Sequence, residues 1–288
     1  MFIKLAALFS AIVTALSTPA VTGPASNGLP AAPPAPALAD VPQVSAVSLF
    51  LIDLTSSRII AAKNANVPHA IASITKLMTA IVALETQPDW SQPVIFEKQD
   101  QRGGDINYLV PGEELSLREA WNLMLVASSN DAAAMLARSS FGSESKFVEE
   151  MNKKAQELGL KRTRFTDPTG LDAGNVSTAR EVAALARIAL TLPEIREASL
   201  QERFYLAPRG KIPRLVRSTN YLLRSLNLPG VRTFGGKTGH IEESGYNLVF
   251  AAGKGTSEMV GVVLGSASNE ARFAEMSRLM QWGFAEAR

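Results

Sequence analysis

A chain of 288 residues with 46% hydrophobic and 19% charged residues can bury one large core or two small ones, and it is too apolar to be disordered. A net charge of +2 gives no electrostatic case for nucleic acid, and the absence of cysteine excludes disulfides, thiolate zinc sites, a thiol nucleophile and a lipoprotein anchor. The two histidines, His69 and His240, fall in no metal-ligand spacing and no nucleophile-elbow pattern, so neither a metal, a cofactor nor a histidine-based serine triad is expected.

Residues 1–20 have a basic start at Lys4, an apolar stretch from Leu5 to Leu16 and small residues around Ala20. That is the composition of a secretory signal peptide, with an uncleaved anchor as the alternative. Residues 21–43 are rich in Pro, Ala and Gly and read as a linker, leaving residues 44–288 as the folded domain. No later stretch reaches membrane-spanning length, so no stable membrane anchor is expected after cleavage.

The folded part opens with two β-rich runs, Ala46 to Asp53 and Arg58 to Ala62, joined by Thr55-Ser56-Ser57 as a hairpin. A helix starting at Ala72-Ser73-Ile74-Thr75-Lys76 follows and ends before Pro88. Residues 92–191 read as mostly helical. Ser116 and Glu119 form a capping-box pattern ahead of Trp121 to Val126, and Ser143 caps a helix whose apolar face is Phe147, Met151 and Leu158. Ser128-Ser129-Asn130-Asp131 interrupts two apolar helical runs. It is either a plain break with Asp131 as a new N-cap, or a set of polar groups directed into a cleft. Asp167-Pro168-Thr169-Gly170 is a turn, and Thr178 opens another helix. Strands return at Gly235-Gly236-Lys237-Thr238-Gly239-His240, Tyr246 to Ala252 and Met259 to Leu264, before a closing helix from about Ser268 to Phe284. Strands at both ends with helices between imply an α/β fold with one antiparallel five-stranded sheet, flanked by helices and carrying a mostly helical insertion.

Ser73 and Lys76, three residues apart on a helix, share a face. Apolar neighbours imply burial, which disfavours the lysine charge and moves it toward general-base chemistry. Free N–H groups at the helix start suit a developing oxyanion. Taken alone, Ser-x-x-Lys arises by chance about once in a protein of this length, and the plain alternative is an N-cap with a surface lysine.

Three elements in one order change that reading: Ser73-Ile74-Thr75-Lys76, Ser128-Ser129-Asn130 and Lys237-Thr238-Gly239. They match the Ser-x-x-Lys, Ser-x-Asn and Lys-Thr-Gly signature of penicillin-binding proteins and serine β-lactamases. With Thr169-Gly170-Leu171-Asp172 and Ser177-Thr178-Ala179, the chain resembles the low-molecular-mass penicillin-binding proteins, the D-alanyl-D-alanine peptidase family, from about Val44 onward. It also resembles the shorter endopeptidases of the penicillin-binding protein 7 type. Where larger carboxypeptidases carry an arginine that grips the terminal carboxylate, this chain has Arg217-Ser218-Thr219-Asn220, with Arg214 and Arg217 displaced from that slot.

The resemblance implies a hydrolase of peptidoglycan stem peptides in the periplasm, inhibited covalently by β-lactam antibiotics. It assigns Ser73 as nucleophile, Lys76 as base, Ser128 as proton relay and Asn130 as orienting group. Lys237, Thr238, Gly239 and His240 would bind substrate, with the Ser73 and His240 backbone N–H groups as oxyanion hole. Endopeptidase and carboxypeptidase activities both fit this set. A β-lactamase would need a glutamate in the loop around residues 166–172, which holds only aspartates, and a non-catalytic wall-binding domain is the remaining alternative.

Overall fold

The computed structural model of the chain describes residues 41–103 and 107–287; the expected signal peptide and nearly all of the linker lie outside them. The first strands are β1 (Ser48–Asp53), β2 (Arg58–Lys63) and β3 (His69–Ala70). A 3-10 turn at Ala72–Thr75 runs into helix α1 (Lys76–Glu85). Then come β4 (Pro93–Ile95), β5 (Glu114–Ser116), α2 (Leu117–Val126), α3 (Asn130–Phe141) and α4 (Glu144–Glu157). The chain continues with β6 (Val176–Ser177), α5 (Ala179–Thr191), α6 (Pro193–Leu200), β7 (Arg203–Leu206), β8 (Arg214–Arg217) and α7 (Leu222–Ser225). It closes with β9 (Val231–Ile241), β10 (Gly245–Lys254), β11 (Ser257–Ser266) and α8 (Asn269–Glu286).

Every residue of β1 is buried, and successive side chains enter different cores. Leu49 and Leu51 pack with Phe250, Val263 and the Phe273, Met276 and Met280 side chains of α8, whereas Phe50 and Ile52 face α1 and the other helices. A strand apolar on both faces needs helices on both faces. The sheet has the order β2-β1-β11-β10-β9, antiparallel throughout, so the first strand pairs with the last and the two chain ends meet as the sequence implies.

The local signals behave as read. Ser116 Oγ accepts from Glu119 N while Glu119 Oε2 accepts from Ser116 N at 2.9 Å, completing the capping box. Ser143, Thr178 and Ser268 cap α4, α5 and α8. α1 is buried from Lys76 through Ala83, as expected of a helix apolar all round. The region read as mostly helical also holds β4, β5 and β6, and β7 and β8 form a further hairpin. These strands of two to four residues are too short to show an alternating pattern. Among the described residues no helix is long and apolar enough to cross a membrane.

Candidate active site

Ser73 sits in the 3-10 turn, and the α-helix proper begins only at Lys76. In a 3-10 turn residues i and i+3 eclipse, which brings the two side chains closer than α-helical spacing does. Lys76 Nζ lies 2.8 Å from Ser73 Oγ. Two features wedge the turn in place. Gly170, at φ +85°, passes so close that a Cβ there would stand 2.1 Å from the Ala72 carbonyl oxygen. On the other side a Cβ on Gly239 would lie 2.7 Å from the Ile71 carbonyl oxygen and 3.1 Å from Ser73 N. The Lys-Thr-Gly strand can approach Ser73 this closely because its third residue has no side chain.

Lys76 is fully buried. Its amine also reaches Asn130 Oδ1 at 2.7 Å and the Thr169 carbonyl at 2.6 Å. An ammonium donates to all three acceptors, whereas a neutral amine keeps the bonds to Asn130 and Thr169 and has its lone pair for the Ser73 hydroxyl proton. Burial lowers the Lys76 pKa to about 7, with the negative charge of Asp167 opposing the fall.

The break at Ser128 is a built feature. Ser129 caps α3 by accepting from Ala132 N, so the alternative that made Asp131 the cap is not the one realised. The Asp131 carboxylate instead accepts from Arg102 N at 2.7 Å, and Asn130 Nδ2 donates to the Gly103 carbonyl at 3.0 Å, fastening Arg102 and Gly103 to the start of α3. Ser128 itself has φ +62°, an uncommon conformation for a non-glycine residue and one that concentrates at functional sites. Its Oγ accepts from Lys237 Nζ at 2.6 Å.

Lys237 is buried and also donates to the Thr238 carbonyl. Burial pushes its pKa well down, and the neighbouring charges of Lys76 and Arg272 push the same way. Gly239 lies on the β9 edge of the sheet. Its carbonyl accepts from Arg272 Nη1 at 2.9 Å, from behind the cleft. The His240 ring is exposed and stacks on Tyr246 with centroids 4.1 Å apart, away from the lysine pair. The structure thus joins Lys76 with Ser73 and Asn130, and Lys237 with Ser128.

Three participants escaped the sequence reading. Thr219 Oγ1 lies 2.6 Å from Thr238 Oγ1, carried there by a second Ser-x-Asn that is itself a turn: Ser218 Oγ accepts from Asn220 N, and Asn220 Oδ1 from Leu222 N. Arg272 reaches the site from α8, far along the chain. Asp167 organises the loop whose Thr169 carbonyl holds Lys76, and the only sequence signal for it was the Asp-Pro-Thr-Gly turn.

This sheet, with helices on both faces and a serine–lysine pair at its β9 edge, is the fold of the penicillin-binding proteins and serine β-lactamases. Penicillin-binding protein D2 of Listeria monocytogenes, solved with cefotaxime bound, superposes with a TM-score of 0.74 at 29% identity, covering 84% of this chain and 98% of that one. Within that class the pattern of the Peptidase S11 family, described as D-alanyl-D-alanine carboxypeptidase, matches residues 35–268, and the chain belongs to this family. It is 34% identical to the D-alanyl-D-alanine carboxypeptidase DacF of Bacillus subtilis over 84% of its length, yet spans only 62% of that relative. Against the D-alanyl-D-alanine endopeptidase of Pseudomonas aeruginosa it is 32% identical, covering 87% of this chain and 81% of the relative.

Proposed function

We propose that the chain is a serine D-Ala-D-Ala peptidase of peptidoglycan stem peptides, working in the periplasm, with cleavage of D,D cross-links as its main activity. The observation that carries this reading is the Lys76 amine, buried and 2.8 Å from Ser73 Oγ. Ser73 Oγ bonds to the carbonyl carbon of a D-alanyl peptide bond while its proton passes to Lys76. The C–N bond then breaks, Ser128 relays a proton to the leaving amine, and water hydrolyses the resulting ester to free Ser73. Asn130 orients Lys76. An anionic substrate would favour the protonated form of Lys237, which burial alone disfavours, so that Lys237 supplies positive potential on binding, and Thr238 and Gly239 receive the peptide as an added strand on the open edge of β9. The backbone N–H groups of Ser73 and His240 receive the developing oxyanion. β-Lactams acylate Ser73 by the same route, a reading supported by cefotaxime in the Listeria neighbour. Ser73→Ala is expected to abolish covalent labelling by fluorescent penicillin, and labelling that survives removes Ser73 from its role.

Two features favour cross-link cleavage over trimming of a terminal D-Ala. Thr219, a neutral hydroxyl, stands against Thr238. Arg214 is held by the Glu113 carboxylate at 2.5 Å and by the Tyr108 carbonyl, so its charge is committed elsewhere. Incubation with cross-linked muropeptide dimers and with pentapeptide monomers tests the choice: dimers are consumed first, and preferential consumption of pentapeptide reverses it. Turnover of β-lactam is expected to be slow. Both oxygens of the buried Asp167 carboxylate are occupied by donors, so that carboxylate is not free to activate a deacylating water. Rapid nitrocefin hydrolysis contradicts this. Penicillin acylation without hydrolysis of any muropeptide points instead to a wall-binding domain.

A further inference from the structure

Lys76 combines two properties that pull against each other. Burial makes its amine neutral and available, but an amine that loses its proton too readily is also a weak base. Something in the site has to limit the loss. Among the described residues the charged groups facing Lys76 from the surrounding elements are few: Lys237 on β9, with Arg272 of α8 behind it, and Asp131 in the first turn of α3, committed to Arg102 N. Glu85 pairs with Lys154 at the far end of α1. The remaining group is Asp167.

The Asp167 carboxylate is the hub of its loop. Oδ1 accepts from Thr169 N, Thr169 Oγ1 and Gly170 N at 2.5, 2.5 and 2.8 Å, and Oδ2 from Asp172 N and Asn175 Nδ2 at 2.8 and 2.6 Å. Five donors to one carboxylate fix its ionised form: burial works against the charge, but the bonds from Thr169, Asp172 and Gly170 hold its pKa below the usual carboxylate value. The residues it gathers are the ones that clamp the catalytic turn. The Pro168 carbonyl accepts from Thr79 Oγ1 at 2.6 Å, the Thr169 carbonyl accepts from Lys76 Nζ at 2.6 Å, and Gly170 packs on Ala72.

We propose that Asp167 is a positioning residue for the base: it gathers the loop that aims the Thr169 carbonyl at Lys76 and sets a negative charge behind that carbonyl. This rests on Lys76 acting as the base for Ser73. The sign of the effect follows. Removing the charge makes the Lys76 ammonium less stable, so the acid limb of acylation moves to lower pH while the plateau rate falls.

The test is the pH dependence of acylation by fluorescent penicillin, from pH 5 to 10, for wild type, Asp167→Asn and Asp167→Glu, with melting curves in parallel. Asp167→Asn is expected to move the acid limb down by roughly half a pH unit or more, about threefold in the uncharged-lysine fraction, and to lower the plateau. Asp167→Glu keeps the charge but displaces the loop, so its plateau falls with the limb in place. A limb that stays put in Asp167→Asn, with only the plateau reduced, makes the role purely structural and overturns the proposal. If Asp167→Asn does not fold, Thr169→Val replaces it: one donor is lost, the charge remains, and a limb that moves contradicts the assignment. Wild type that is not labelled through Ser73 at all defeats the underlying peptidase reading instead, so the two failures are distinguishable.

Discussion

At the scale of single residues, the lowered Lys76 pKa has consequences for rate and for stability that run in one direction. The base is competent only when uncharged, so acylation by penicillin is expected to rise as pH increases through about 7. A stopped-flow profile flat across that region contradicts this. Stability follows from the same shift. The folded pKa is about 7 and the ordinary lysine value is 10.5, so between these pH values the unfolded chain binds more protons. The contribution is therefore present above about pH 10 and is lost as pH falls toward 7. Relative to Lys76→Met, which cannot titrate, wild type is expected to gain on the order of a few kcal/mol in unfolding free energy between pH 7 and 10. Denaturant unfolding of both proteins at the two pH values measures it, and parallel stabilities exclude it. Thr219 carries a second prediction at this scale. Thr219→Arg places a cation beside Thr238, where a free carboxylate would bind, and is expected to raise pentapeptide consumption relative to dimer cleavage. An unchanged product ratio in a muropeptide digest shows that this hydroxyl does not set the preference.

At the scale of elements, the site depends on a loop and a strand pressed against one short turn. Gly170→Ala combines a left-handed φ of +85° with a Cβ 2.1 Å from backbone, and neither can be relieved by turning a side chain. It is expected to destabilise the fold by about 3 kcal/mol or more and to slow labelling in whatever fraction remains folded, read by melting temperature and fluorescent penicillin. The elements that bear the candidate site were legible from the chain itself. Strong local signals marked them: the capping box at Ser116, the polar interruption at Ser128 and the Lys-Thr-Gly strand. What remained hidden were contacts across long sequence separation. Nothing local distinguishes Asp167, whose carboxylate looks like an ordinary turn residue until the loop is folded onto Lys76. Thr219 lay inside a pattern with a structural explanation of its own, and Arg272 looked like one more charge in the first turns of an amphipathic helix. The 3-10 geometry at Ser73 was equally invisible, because α and 3-10 turns share the same three-residue spacing.

At the scale of the whole molecule, the chain ends are tied together by buried polar contacts as well as by the sheet. Glu275 of α8 is buried, and its Oε1 accepts from Ser45 Oγ at 2.7 Å while Oε2 accepts from Ser266 Oγ at 2.7 Å. A chain beginning at residue 41 keeps this tie and is expected to label and melt as the full-length domain does. One beginning at residue 48 leaves a buried carboxylate short of donors and is expected to lose about 1–3 kcal/mol, measured by denaturant titration. Equal stabilities mean that water replaces Ser45 without loss.

The pairing of Ser48 with Leu264 sets the timing of folding. Until almost the last stretch has been made, the opening strand has only β2 beside it and lacks its second neighbour β11, so a nascent polypeptide halted anywhere before residue 257 cannot close the sheet. Such a chain leaves the β1 edge and the apolar residues around it open to aggregation or to chaperones, and a chain whose central sheet is not yet closed is also one that can be threaded through a narrow export channel.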